Sequence, residues 1–516
     1  MIGALISAGA LQTLTLAPFN YWLFGPISIA LALWSTQALV VADNNNHGTD
    51  SDNNTKNNTQ AKPARYGWYF GLGLFSSGAS WVYISIHTYG HASPPLAGLL
   101  TLVFVTGLAL FHALLFALYF KFRSQNQALN GALFTAFWVL SDAFRTVFLT
   151  GFPWLFLGYG HLNSPLAGWI PIIGVYGISM IIVATGAVIA LWTIPFQLTN
   201  TKLPVKLAIT LLIAIAWIVG PTLNTIDWTK KREQTLSIAL LQTNIPQELK
   251  WLPSQRRKTL KLLEDMTQEN WGTDLIIWPE TAVPMLFDQA KPLLDRMAKK
   301  ASKHKANIIS GIPYREYNKQ TKATTLHNSV YSFGEGSGIN HKQKLVPFGE
   351  YVPMQEVLRG LIAFFDLPMS DFRKGPSDQA LLLSHGHQVA PFICYEVVYP
   401  DFVASRASEA DYLLTISNDS WFGASIGPLQ HLEMAQMRAA ENGRFMVRAT
   451  NNGISAIIDH KGQISAQTEQ FVKTTLQSHI ELYTGQTPFT KYGSSPVFIF
   501  SSLLVFLSLF RRRKAN

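Results

Sequence analysis

Cysteine is almost missing: Cys394 is the only one in 516 residues. A single thiol excludes any disulfide within the chain and any zinc site built from several cysteines, and no metal or cofactor is expected. It also leaves no mispairing partner within the chain in an oxidising compartment. Charge is scarce too. Asp, Glu, Lys and Arg supply 14% of the residues, where soluble domains carry about a quarter, and the deficit lies in the N-terminal part. Acidic residues are the rarer sign, 31 against 41 basic ones, which leaves a net charge of +10. That excess does not indicate nucleic acid as a partner. Much of it stands in short loops beside apolar segments, where it carries topological information.

What the chain has in quantity is apolar length. A membrane span needs about 20 mostly apolar residues. Seven candidates precede residue 225, near 2–20, 22–42, 66–88, 95–120, 129–150, 165–196 and 204–222, and an eighth lies near 493–510. The first lacks a basic leader and is followed at once by another apolar run, so it reads as a retained span rather than a cleaved signal. Basic residues alternate between loops. Lys56, Lys62 and Arg65 lie in one, Lys121 and Arg123 in another, Lys202 and Lys206 in a third, and the tail ends Arg511-Arg-Arg-Lys514. The intervening loops near 18–21, 88–95 and 150–164 carry no Lys or Arg. The positive-inside rule then puts both termini in the cytoplasm and residues from about 225 to 490 on the far side. The Asn-rich stretch 43–60 is low in complexity and reads as a disordered cytoplasmic connector.

Polar residues within this half are few. Asp142 and Arg145 are three apart in the fifth span, so they share a helix face and can pair. Charge at membrane depth marks either a lined cavity or headgroup contact, or an interhelical structural pair. His87 and His91 have the spacing of a metal pair but no third ligand, and read as interfacial residues. The run Gly151-Phe-Pro-Trp-Leu-Phe-Leu-Gly-Tyr159, with Trp154 at its centre, is an aromatic belt or a lipid-binding rim.

From Ser237 the pattern changes. Short apolar runs, among them Leu236–Leu241, Leu275–Trp278, Ile308–Ile312, Gln388–Ile393 and Tyr412–Ile416, alternate with amphipathic stretches at 253–271, 288–305 and 428–442. Strands alternating with helices predict an α/β layered domain.

Three strand ends carry chemistry. Asp274-Leu-Ile-Ile-Trp-Pro-Glu280 delivers a carboxylate to a strand's C-terminal end, where α/β sheets put their sites. His341-Lys342-Gln-Lys-Leu-Val-Pro-Phe-Gly-Glu350 holds a cation and a second carboxylate in a Pro/Gly loop. Ala390-Pro-Phe-Ile-Cys-Tyr-Glu396 ends a strand in a thiol. Taken singly, a glutamate after a strand reads as a solvated loop residue and a lone cysteine as a small buried hydrophobe. Together a base, a cation and a nucleophile make up an acyl-transfer set.

The order Glu280, Lys342, Cys394 in these contexts resembles the nitrilase superfamily, whose pattern is a glutamate after an apolar strand, Lys-x-x-Leu and Cys-Tyr-Glu. The surrounding words Asn244-Ile-Pro-Gln-Glu-Leu-Lys-Trp251, Trp278-Pro-Glu-Thr281, Leu345-Val-Pro-Phe-Gly-Glu-Tyr-Val-Pro353 and Ser417-Asn-Asp-Ser-Trp-Phe-Gly423, with spans on both sides, resemble its membrane-bound branch, the apolipoprotein N-acyltransferase family. The resemblance implies a fold of about eight spans in a helical membrane bundle plus a nitrilase-like αββα sandwich. Its bounds are 1–224 for seven spans, 225–490 for a periplasmic catalytic domain and 491–516 for the last span and tail. It implies two lipid substrates: a phospholipid acyl donor and a diacylglyceryl-apolipoprotein acceptor, joined through a cysteine thioester by a monomer in the bacterial inner membrane. Glu280 is then the base, Lys342 and the Tyr395 N–H the oxyanion donors, and Cys394 the nucleophile. Trp251, Glu350, Tyr395 and Glu396 carry over as essential positions; Trp251, Trp421 and Phe422 contact acyl chains, with core packing as the other reading of Trp251 and Trp421. The rivals are a membrane-tethered amidase or nitrilase, and a transporter or scaffold with an inactive far-side domain.

Overall fold

The computed structural model describes residues 1–46, 55–194, 201–318, 323–351 and 372–515. Of the Asn-rich stretch, 47–54 lies outside the described residues, and helical turns cover 43–46 and 55–60, where the flanking helices overrun their apolar stretches. The side chains of the basic tail, Arg511 to Lys514, and Pro353 also lie outside them. The chain divides into two compact units: Met1–Tyr83, Pro94–Ile226 and Ser494–Asn516 form one; Ile84–Ser93 and Asp227–Gly493 form the other.

The first unit is helical: α1 (Ile2–Thr13), α2 (Phe24–Asn46), α3 (Thr55–Gly78), α4 (Pro94–Phe122), α5 (Gln127–Val147), α6 (Ile170–Thr193), α7 (Leu203–Leu223) and the C-terminal helix Ser495–Ala515. Among the described residues four helical stretches are long and apolar enough to cross a membrane: Pro94–Phe122, Gln127–Thr150, Ala167–Thr193 and Leu203–Leu223. Ile2–Thr13, Phe24–Leu39 and Ser495–Phe510 are shorter apolar helices. The third expected span, 66–88, differs: α3 starts earlier, among polar residues, and stops at Gly78. Glycine lets these helices approach closely. A Cβ on Gly71 would lie 2.7 Å from the Ala109 Cα of α4, and one on Gly73 would collide with the Ile6 carbonyl of α1, the small-residue packing that helices use in lipid.

The second unit holds two sheets. One runs in the order β13-β1-β2-β3-β4-β6 and comprises β1 (Lys230–Gln242), β2 (Leu275–Ile277), β3 (Asn307–Asn318), β4 (Ala323–Gly334), β6 (Ile339–His341) and β13 (Thr474–Thr484). The other runs β12-β11-β10-β9-β8-β7-β5, with β5 (Gly336–Ser337), β7 (Leu382–Ser384), β8 (His387–Ile393), β9 (Tyr412–Ser417), β10 (Met446–Thr450), β11 (Ala456–Ile458) and β12 (Ile464–Gln467). The strands β1-β2-β3 and β8-β9-β10 are parallel triplets. Their apolar runs are continuous because both faces are buried. Ile238, Leu240, Leu275 and Ile277 point into a core shared with Val389, Ile393, Leu414 and Ile416 of the facing sheet. The alternate residues Ala239, Leu241, Ile276 and Trp278 meet α8 (Pro253–Gln268) and α9 (Phe287–Lys303) through Leu263, Leu294 and Met297. Helices α10 (Pro400–Ala407) and α11 (Gly427–Asn442) pack against the second sheet. The unit is a helix–sheet–sheet–helix sandwich. Period-two alternation assigns each strand residue to one of two apolar layers.

Candidate active site

Strand ends converge at one edge of the sandwich. Glu280 follows β2, Lys342 follows β6, and Cys394 follows β8 as the first residue of a 3-10 turn, Cys394–Val398. Cys394 has a φ of +52°. An L-residue adopts this left-handed region at a cost of about 1–2 kcal/mol, the kind of constraint that collects at functional sites.

The three side chains share one buried electrostatic environment. Lys342 is 1% exposed. Its Nζ donates to Glu350 at 2.8 Å and stands 3.8 Å from Glu280 Oε1. Asn328 joins the two carboxylates: its Nδ2 donates to Glu280 Oε1 at 2.7 Å and to Glu350 Oε1 at 3.0 Å. Glu280 Oε2 accepts the Asn418 N–H at 2.8 Å. Burial pushes the Glu280 carboxyl above the usual carboxylate range, Lys342 pulls it back and Glu350 raises it again. Burial works against the Lys342 charge, but Glu350 and then Glu280 outweigh it and hold the ammonium above its ordinary pKa. The Cys394 thiol is within electrostatic reach of both. Burial and Glu280 push it up and Lys342 pulls it down, for a net upward shift. The resting sulfur is therefore a thiol, and its proton needs a nearby acceptor.

Glu396 is a strut. Its Oε2 accepts the Ile393 N–H at 2.8 Å, and its Oε1 accepts Gln343 N–H at 2.6 Å and Lys344 N–H at 3.1 Å. One carboxylate thus ties the nucleophile turn to the loop after Lys342. A glutamine there presents one oxygen where two are used, so its NH2 faces a backbone N–H. Glu396→Gln is expected to lower the melting temperature of detergent-solubilised protein through a buried unpaired donor, a cost of about 1–3 kcal/mol.

Behind the sulfur lies a network that the sequence does not disclose. Ser417 Oγ is 3.4 Å from Cys394 Sγ and donates to Asp419 Oδ1 at 2.6 Å. Asp419 pairs with Arg448 at 2.6 Å. Burial alone would raise its carboxyl, yet Arg448 and His431 hold it well below the usual carboxylate range. His431 Nε2 lies 3.2 Å from the Cys394 carbonyl, and its Nδ1 lies 3.2 Å from the Arg448 guanidinium and 3.4 Å from Asp419 Oδ1. Ser417 and Asp419 stand in a motif already singled out, but Asn328, His431 and Arg448 have no local signal.

The other expected residues fall in several places. Tyr395 is buried, its ring 5.6 Å from Tyr399. Trp251 is half-buried, and its indole N–H has no partner among the described residues. Trp421 and Phe422 are half-buried. Ser85 Oγ donates to the Trp421 carbonyl at 2.6 Å, the Tyr89 ring lies 5.7 Å from Trp421, and Phe422 is 6.4 Å from His431. Ile84–Ser93 thus packs on the Trp421 turn. Arg145 and Trp154 lie in the helical unit, both nearly inaccessible. Arg145 donates to Asp142 at 2.8 Å and to the Trp154 carbonyl at 2.7 Å, with the Phe156 ring 4.7 Å away. The pair fastens the aromatic loop to α5. His87 Nδ1 is 2.8 Å from the Ala92 carbonyl. Among the described residues no group of three His, Cys, Asp or Glu side chains is set to hold a metal.

Known proteins resemble this chain along its length. A carbon-nitrogen hydrolase family model matches residues 237–488, and a model of the apolipoprotein N-acyltransferase N-terminal domain matches 8–188. The apolipoprotein N-acyltransferase of Pseudomonas aeruginosa is 45% identical over 98% of this chain and 95% of its own length. That of Photobacterium profundum is 38% identical over 99% and 95%. The crystal structure of a carbon-nitrogen hydrolase from Helicobacter pylori, 16% identical, covers 52% of this chain and 94% of that one at a TM-score of 0.36. Identity at this level along the full length of the relatives has one reading: the chain belongs to the apolipoprotein N-acyltransferase family.

Proposed function

We propose that the chain moves an acyl group from a phospholipid to Cys394 and then to the α-amine of the S-diacylglyceryl-cysteine that begins an apolipoprotein. The observation that carries this reading is the set of buried Glu280 and Lys342 with half-buried Cys394, each just past a strand end, in a chain whose full-length relatives are named apolipoprotein N-acyltransferases.

Glu280 takes the thiol proton as the thiolate attacks the ester carbonyl. Lys342 and the Tyr395 N–H stabilise the oxyanion. As the C–O bond breaks, the proton on Glu280 passes to the leaving alkoxide, and a lysophospholipid departs. The amine then attacks the thioester, Glu280 takes its proton, the C–S bond breaks, and the proton returns to sulfur. Glu350 orients Lys342, and Glu396 holds the nucleophile turn. Trp251, Trp421 and Phe422 line the path of the acyl chains; Trp154 and Arg145 support the aromatic loop.

Both substrates are lipids. Each buried CH₂ is worth about 0.8 kcal/mol, so withdrawing an acyl chain into water is prohibitive, and the chemistry runs at bilayer level. The protein works as a monomer in the bacterial inner membrane, spans it about eight times, keeps both termini in the cytoplasm and presents residues 225–490 to the periplasm. The test supplies purified protein with a phospholipid and a diacylglyceryl-cysteine peptide. Equal yields of lysophospholipid and N-acylated peptide are expected. Hydrolysis of a soluble amide without lipid transfer would establish the amidase reading instead.

A further inference from the structure

Glu280 has a second cation beside it. Lys250, at the end of the helical turn Gln247–Lys250, is only 2% exposed, and its Nζ donates to the Glu280 carbonyl at 3.0 Å. Among the described residues no carboxylate lies within ion-pairing distance of that ammonium, whereas Lys342 is held by Glu350. The turn that carries Lys250 is fixed to the site. Asn451 bonds the Ile245 N–H at 3.0 Å and its carbonyl at 2.8 Å. Gln247 Oε1 accepts from Asn418 at 2.7 Å, the residue whose N–H holds the Glu280 carboxylate. Burying a lysine without a countercharge is costly, so its charge must act on what surrounds it.

We infer that Lys250 is a positioning residue for the transfer reaction: its ammonium, anchored on the Glu280 backbone, keeps the Glu280 carboxylate ionised and so ready to accept the thiol proton. The inference rests on the reading of Glu280 as the base. The charged and titratable groups facing Glu280 are Lys342, Glu350, Lys250 and Cys394. Lys342 favours the ionised Glu280 and Glu350 opposes it; Lys250 adds a further, smaller pull toward the ionised form, with no carboxylate among the described residues paired to its own charge. Burial brings the Lys250 ammonium itself down to about 8, with Glu280 opposing that shift. At neutral pH it is charged.

The test is the rate of Cys394 alkylation by iodoacetamide in the full-length protein in detergent, followed by intact mass from pH 4 to 8. The wild-type rate falls on the acid side as Glu280 gains its proton. An opposite charge within about 4–6 Å lowers a carboxyl pKa by roughly 1–3 units. Lys250→Gln is therefore expected to move the fall upward by up to about one pH unit, so that the rate at a fixed pH on the slope drops by up to roughly tenfold. Above the slope the rate should be undiminished, whereas a merely structural loss lowers it at every pH. Lys250→Arg should restore the wild-type profile. If Lys250→Gln does not fold, Lys250→Met is measured in its place, and a wild-type profile from either variant overturns the inference. Glu280→Gln separates the two layers. If it leaves the wild-type profile intact, Glu280 is not the base. If it abolishes the acid-side fall while Lys250→Gln follows wild type, the failure belongs to Lys250 alone.

Discussion

In the Cys394→Ala variant, incubation with phospholipid leaves the protein mass unchanged, and transfer to the peptide falls by on the order of ten-thousand-fold or more. The wild-type protein given phospholipid alone gains the mass of one acyl group, on Cys394. The expectation is this severe because the chain has one thiol and because its neighbours are built around it. Ser417 faces the sulfur, His431 holds its carbonyl, and Glu396 fastens the turn on which it sits. Alanine removes the nucleophile and leaves those bonds in place, since none but the Ser417 contact involves the sulfur. The variant should therefore melt close to wild type and still bind lipid. An adduct found on another residue, or transfer at more than a trace, would end the thioester scheme.

Much of this site is legible in the sequence, and the reason is geometric. Parallel strands buried on both faces must be continuous apolar runs, and the residues just past the end of such a run sit at the sheet's working edge. Glu280 and Cys394 each end one, whereas Lys342 follows β6, a short antiparallel strand that carries Asn340 and His341. Asn328 ends none. It stands inside β4 among other polar residues, Thr325, His327 and Ser329, where nothing local marks it out, yet it bridges Glu280 and Glu350. Arg448 lies within β10, 29 residues from the Asp419 it pairs with, a separation no local pattern reports. The same holds for the helical part. Runs of apolar residues give α4, α5, α6 and α7 nearly to their ends. They mislead between 66 and 93, where composition stays apolar while the chain leaves helical packing at Gly78 and Ile84–Ser93 joins the other unit. Hydropathy records what a residue is, and packing partners decide which unit it joins.

Replacing Lys342 by Met tests the electrostatic core of the proposal, because it removes two effects at once. The first is catalytic: loss of one oxyanion donor slows reaction by about 100- to 1,000-fold. The second comes from the charges left behind. Glu350 and Glu280 both face the vacated position, and the single amide of Asn328 joins them. Without the cation, two buried carboxylates confront each other, and one must take up a proton. Glu280, already pushed up by burial and by Glu350, is the one that does so, and a protonated Glu280 is no base. Acyl-enzyme formation should therefore fall below the loss of an oxyanion donor alone and recover partly as pH is raised. Removing one partner of a buried ion pair also costs about 3–5 kcal/mol of stability, visible as a large drop in melting temperature. The double variant Lys342→Met with Glu350→Gln separates the two effects. Taking away the stranded charge should return most of the lost stability while the rate stays low. If the double variant also regains its rate, Lys342 serves only to neutralise Glu350, and the oxyanion must find its donors elsewhere.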